Sequence, residues 1–250
     1  MISRLSHLAL LLLVALTSNI PARCDPPASA AYAPVICIDP GHPSETSAGT
    51  KSRDGSLTET HLDWIVAKRL QALLTDAGYR VVLTKSSEPQ KVTNRRRAEI
   101  ANAAHAALFL RLHCDSAPTN GLATYYPDRR GTTQGVTGPA PRVIMESHAA
   151  AKAFHTGVMM MLAGRLRDRG VHGESATRIG ARQGALTGSI FAQVPAVTVE
   201  MVVLDNRHDF AFARSEAGQT LLAEALFSGV TSYVKSGTHG GPDPNSSATP

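Results

Sequence analysis

The 250-residue chain is 43% hydrophobic, 18% charged and 5% aromatic, with a formal net charge of +5. That length buries an ample core in one large domain or two small ones, and the composition is that of an ordinary globular protein without internal repeats. The mild basicity suits an anionic polymer, a nucleic acid or an acidic lipid, but no dense Lys/Arg block interleaved with aromatics is present, so nucleic-acid binding is set aside.

At the N-terminus, Arg4 and His7 precede an apolar run, Leu8 to Leu16, too short to span a bilayer and followed by a polar, Pro-containing stretch. Residues 1–24 read as a secretory signal peptide whose cleavage point stays open between Ile20-Pro21-Ala22 and Ala31-Tyr32-Ala33. Arg23 stands where a lipidated Cys24 would want a small residue, which disfavours a lipoprotein. No other run approaches the roughly 20 apolar residues of a membrane helix, so the expectation is a protein without a membrane span, periplasmic or extracellular. Three cysteines are too few for a disulfide framework. Cys37 and Cys114 read as small buried residues, with a bridge between them left open should their strands be neighbours.

A Pro- and Ala-rich lead (25–34) precedes the apolar run Val35 to Ile38, a buried strand that stops at Asp39-Pro40-Gly41 with His42 immediately after. A polar loop follows. Leu62, Ile65, Val66, Leu70 and Leu73 then recur at spacings of three and four, which predicts a helix from about Thr58 to Asp76, capped by Thr58 and with Glu59 in its first turn. Gly78 ends it, and Tyr79 to Thr84 alternates as a second strand. A helix over 92–105 carries Arg95, Arg96 and Arg97, read as a solvated face or an anion contact. Ala107 to Leu112 is a third strand, again ending in histidine, His113.

A short strand is expected at Thr124 to Tyr126 and a long Gly/Thr/Pro-rich surface loop over 127–141. A long helix is expected over 147–169 with Phe154, Val158, Met161, Leu162 and Leu166 inward, and the methionine run 159–161 belongs to its core. Residues 172–192, with four glycines, read as a mixed segment lining something. Ala196 to Val199 is another buried strand, ending at Glu200. A final amphipathic helix (217–234) and a polar tail (236–250), expected to be disordered, close the chain.

His42, His113 and Glu200 thus fall at strand ends and Glu59 at a helix start on the same side of an α/β sheet, where ligands bind. Two imidazoles and one carboxylate with a fourth position left for water form a catalytic zinc set, and a second carboxylate beyond it serves as general base. Each residue has a plainer account as well. A histidine after a strand is compatible with a hydrogen-bonded rim, and Glu59 with a charge that the helix dipole stabilises. Glu200 is the strongest signal, because a carboxylate continuing an apolar run is costly to bury without a partner. No local HExxH signature is present, and spacing alone does not bring the four together.

Four ordered blocks supply what spacing leaves open: VICIDPGH (35–42), LTETHLDWIVAKRLQALLTDAGYRVVLTK (57–85), NRRRAEIANAAHAALFLRLHCDS (94–116) and VPAVTVEMVVLDNRHD (194–209). With them the chain resembles the zinc-dependent N-acetylmuramoyl-L-alanine amidases of the Amidase_3 family over most of residues 35–235. The resemblance implies a single α/β domain whose central sheet is mixed and mostly parallel, flanked by helices. It implies Zn2+ held by His42, Glu59 and His113, and Glu200 as the catalytic carboxylate. It also implies cleavage of the amide between the lactyl group of N-acetylmuramic acid and L-alanine of the stem peptide. A monomer acting on peptidoglycan or muropeptide fragments is expected, with Asn206 and Asp209 structural.

The chain departs from the family pattern at Pro43-Ser44, where glycine usually follows the histidine, and at Cys114, where alanine is common. It lacks the arginine usual before Pro195, so Arg178 and Arg182 are the candidates to hold a stem-peptide carboxylate. An autoinhibitory helix before Pro195 and an appended wall-binding domain are not expected. Two rival readings remain: another zinc peptidase or deacylase acting on muropeptides, and a catalytically inactive wall-binding module.

Overall fold

The computed structural model describes residues 33–237. The signal peptide expected at 1–24, and most of the expected lead and tail, lie outside those residues. The chain runs β1 (Val35–Pro40), α1 (Glu59–Asp76), β2 (Arg80–Leu83), α2 (Asn94–Ala103), β3 (Leu108–Asp115), β4 (Leu122–Tyr126), β5 (Gly131–Thr133), β6 (Val136–Gly138), α3 (Pro141–Leu162) and β7 (Asp168–Gly173). A 3₁₀ turn (Glu174–Ala176) leads into the short helices α4 (Arg178–Gln183) and α5 (Thr187–Ile190), followed by β8 (Ala196–Val203), α6 (Arg207–Ala213) and α7 (Glu216–Lys235).

Six strands form one sheet in the order β2-β1-β3-β8-β4-β7. Every neighbouring pair is parallel except β8 with β4, which is antiparallel. The sheet is therefore mixed and mostly parallel, as the resemblance implies. Both faces of its centre are covered, which is why β1, β3 and β8 read as mainly apolar runs rather than as alternation. On one face Ile36, Ile38, Leu108, Leu110 and Leu112 pack under α1, α3 and α7. On the other, Cys37 and Phe109 meet Ala98, Ala101 and Phe191 from the α2 and α5 side. Helices α3 and α7 lie close: a Cβ on Gly229 would fall 2.7 Å from ring and methyl carbons of Phe154 and Val158.

Several expectations are corrected. The long helix begins at Pro141, whose fixed φ suits a first helical position, and ends where Ala163 (φ 46°) and Gly164 (φ 80°) turn left-handed. Residues 168–173 are an edge strand, not helix. Leu166 is buried from the intervening turn, so it continues the 158/162/166 spacing without being helical. The methionine run is not core: Met160 and Met161 are 71% and 42% exposed, although Met159 packs against the core. The loop over 127–141 contains the β5/β6 hairpin, turning through Gln134 and Gly135, both at positive φ. Glu200 lies inside β8 rather than at its end.

The arginine triplet divides. Arg95 and Arg96 are exposed and pair with Glu99, whereas Arg97 is 1% exposed and its Nη1 lies 2.6 Å from Asp39. The left-open bridge is not formed either. Cys37 faces Phe109 across β1 and β3, five residues short of Cys114, and both thiols are free and buried. Asn206 caps α6 and the buried Asp209 accepts from the backbone of Gly121 and Val203, a structural role for both.

Candidate metal centre

The segment after β1 is held by its carbonyls. Arg97 donates through Nη1 to Pro40 O at 2.7 Å and through Nη2 to Pro43 O at 3.0 Å. Lys85 Nζ donates to Gly41 O at 3.2 Å and to His42 O at 2.5 Å. All four carbonyls of residues 40–43 are thereby fixed by two buried cations. His42 takes φ 41°, unusual outside glycine, and Pro43 follows through a cis bond. Gly41 is required by space: a Cβ there would meet Asp63 Oδ2 at 2.7 Å, Leu112 O at 2.7 Å and His113 Cε1 at 2.8 Å.

Glu59 reaches the site because Thr58 caps α1, accepting from His61 N, which puts the glutamate in the first turn. Its Oε2 accepts from Thr50 N at 2.7 Å and its Oε1 from Cys114 N at 3.1 Å. The same Oε1 lies 3.2 Å from His42 Nε2 and 3.0 Å from His113 Nδ1. Each of the three residues offers a donor atom within 4.8 Å of the others, a possible metal site. His42 Nδ1 faces Ser47 O at 3.2 Å, which makes Nδ1 the protonated nitrogen and leaves Nε2 as the donor. Burial acts to raise the Glu59 carboxyl, but the His113 and His42 rings against it hold it well below the carboxylate range. Burial also pulls the His113 imidazole down, which favours the neutral form a metal takes.

Glu200 pairs in register with His113 across β8 and β3, and the register slips by one residue just after His113. Such a bulge re-aims side chains beside a site. Glu200 Oε2 is buried and has no hydrogen-bond partner among the described residues. Burial, then the charges of Glu59 and Asp115, push its carboxyl well above the usual range. His42, His113 and Glu200 share a cleft of about 330 Å³ whose other walls come from the start of α2, the β5/β6 hairpin and the 179–187 segment. The mixed segment over 172–192 does line something. Arg178 and Arg182 are exposed on α4 and are not among the cleft residues; the next pair round that helix, Ile179 and Gln183, is.

Three buried polar residues near the centre escape the sequence reading. Asp63 lies one turn beyond Glu59 on α1, its Oδ2 unpartnered and its carboxyl pushed well up by burial and by Glu59. The i, i+4 spacing from Glu59 is the signal for it. Arg111, inside an apolar run, and Asp39, directly after one, carry the signal that marks Glu200, a charge where burial is costly. They pair at 3.1 Å.

Residues 36–232 match the Amidase_3 family, N-acetylmuramoyl-L-alanine amidase. The chain belongs to this family. Among curated relatives, the amidase is 26% identical over 226 residues to N-acetylmuramoyl-L-alanine amidase Rv3717 of Mycobacterium tuberculosis, spanning 80% of this chain and 86% of the relative. The fold matches an N-acetylmuramoyl-L-alanine amidase from Clostridium difficile 630 with TM-score 0.67 and 22% identity, covering 82% of this chain and 99% of the other. It also matches AmiC2 of Nostoc punctiforme with TM-score 0.64 and 23% identity, covering 81% and 97%. At those identities the two structures speak for the amidase fold alone.

Proposed function

We propose that this amidase is a secreted, zinc-dependent N-acetylmuramoyl-L-alanine amidase with His42, Glu59 and His113 as zinc ligands and Glu200 as general base. It hydrolyses the amide joining the lactyl group of N-acetylmuramic acid to L-alanine of the stem peptide. The observation that carries this reading is the convergence of two imidazole nitrogens on one Glu59 oxygen, with Glu200 beside them in register. The donor set fits zinc: two neutral nitrogens and one carboxylate leave a fourth position open.

Held by His42, Glu59 and His113, a zinc ion would supply Lewis acidity for a water and for the amide carbonyl. The protein supplies the rest. Ser47 and the 40–43 clamp orient His42, and the amides of Thr50 and Cys114 fix the Glu59 carboxylate. Glu200, whose Oε2 has no hydrogen-bond partner among the described residues, would take the water proton at Oε2 and return it to the alanine nitrogen as that nitrogen leaves. A carboxylate whose proton affinity is raised is the better base once ionised.

Secretion rests on the apolar run Leu8 to Leu16, and the substrate lies outside the cytoplasmic membrane. Among the described residues no helix is long and apolar enough to cross a membrane. Purified protein incubated with muramyl peptides, with and without chelator, tests the reading by product mass. Zinc-restorable release of an intact stem peptide beginning at L-alanine is expected. Cleavage within the peptide would make it a peptidase, and absence of turnover with zinc restored would make it a binding module.

A further inference from the structure

Two residues along the strands from His113 and Glu200, β3 and β8 place a second facing pair, Arg111 and Thr198, in the same cleft. Arg111 is 3% exposed. Its Nε donates to Asp39 Oδ2 at 3.1 Å and its Nη2 to Asn94 Oδ1 at 3.0 Å, while Nη1 has no hydrogen-bond partner among the described residues. Thr198 is 1% exposed, and its Oγ1 is buried without a partner. Two donors without a hydrogen-bond partner among the described residues therefore come from facing positions in one cleft.

Charge points the same way. Asp39 is shared with Arg97, so two buried guanidiniums have one ion-paired carboxylate between them. Glu174 and Glu200 act on Arg111 through their fields, yet neither hydrogen-bonds to it; the Glu174 oxygens are taken by Leu186 N and Ser189 Oγ. Glu45 also lines the cleft and is engaged by Asn94. A buried guanidinium with a free N–H is a carboxylate receptor awaiting its anion.

We propose that Arg111 and Thr198 form a carboxylate subsite that takes the α-carboxylate left free on the second, γ-linked residue of the stem peptide. This rests on the amidase reading for the identity of the ligand. Two strand residues span about 7 Å. A carboxylate on the residue after L-alanine lies about that far from the scissile nitrogen, at roughly 3.5 Å of chain per residue. The subsite thereby sets the direction in which the peptide leaves the metal centre, and it selects the free acid over the amidated form of that residue.

The test compares the γ-methylamide of L-alanyl-D-glutamic acid, whose α-carboxylate is free, with the same compound carrying an α-amide by calorimetric binding, and the two corresponding muramoyl dipeptides by turnover. The acid is expected to bind at least about ten-fold more tightly, the worth of one charge-assisted hydrogen bond. Arg111→Met is expected to abolish the difference, and Thr198→Val, which keeps the ion pairs and side-chain volume, to reduce it several-fold. Equal binding of acid and amide by the unaltered protein overturns the subsite, as does a preference that survives Thr198→Val undiminished. Acid preference in binding without cleavage of either muramoyl dipeptide would instead overturn the amidase reading and leave the subsite standing.

Discussion

Lys85 and Arg97 divide four consecutive carbonyl oxygens between them: Arg97 holds those of Pro40 and Pro43, and Lys85 those of Gly41 and His42. Their effect is to fix the backbone of a residue at φ 41°, whose ring must point at Glu59. Removing donors that orient a metal ligand typically lowers metal affinity 10- to 100-fold. Lys85→Met is expected to weaken zinc binding by about that factor, measured by competition with a chelator, while Lys85→Arg recovers part of it.

Asp39 offers a stability test with a clear sign. Burial works to raise its carboxyl, but Arg97, Arg111 and the Thr84 hydroxyl bring it down to about 2. In the unfolded chain it titrates near 3.9. Its contribution is therefore complete above about pH 4 and lost as pH falls through 2. Asp39→Asn strands two buried guanidiniums and is expected to cost about 3–5 kcal/mol at pH 7 in denaturant unfolding.

Glu174 has the opposite sign. It is fully buried beneath the 179–190 segment, and burial outweighs its bonds from Ser189 and Leu186, raising it to about 7. The folded state therefore binds the proton that the unfolded state releases near pH 4.3, and stability falls as pH rises from there to 7. Glu174→Gln imitates the protonated form. Its stability relative to the parent is expected to rise between pH 5 and pH 8 by on the order of 3 kcal/mol, and a pH-independent difference in melting curves would rule this out.

Much of the fold is written in local pattern. The stripe on α1 is periodic because one side of the helix is buried, and β1, β3 and β8 read as apolar runs because both of their faces are covered. Edge strand β7 is not legible, because it is half exposed and Leu166 imitates helical spacing. At the site, Glu200 is legible as a charge interrupting an apolar strand. Arg111 carries the same signal but hides within LFLRLH, and Arg97 is masked by two exposed neighbours on its helix. Arg178 and Arg182 illustrate the limit from the other side, since nothing local tells which face of a six-residue helix looks into a cleft. Which carbonyls a cation holds is a tertiary fact with no trace in sequence spacing.

The metal ligands and the base make separable predictions. His113→Ala removes a donor and is expected to lose zinc and activity together, read by metal analysis of the dialysed protein.

The central claim is tested most directly by Glu200→Gln, assayed for zinc content and for turnover of a muramyl peptide in the same preparation. The predicted result is one zinc per chain with kcat reduced by about 100-fold or more, the usual worth of a positioned general base. Undiminished turnover with zinc retained would contradict the role assigned to Glu200, and loss of zinc would make it a ligand instead.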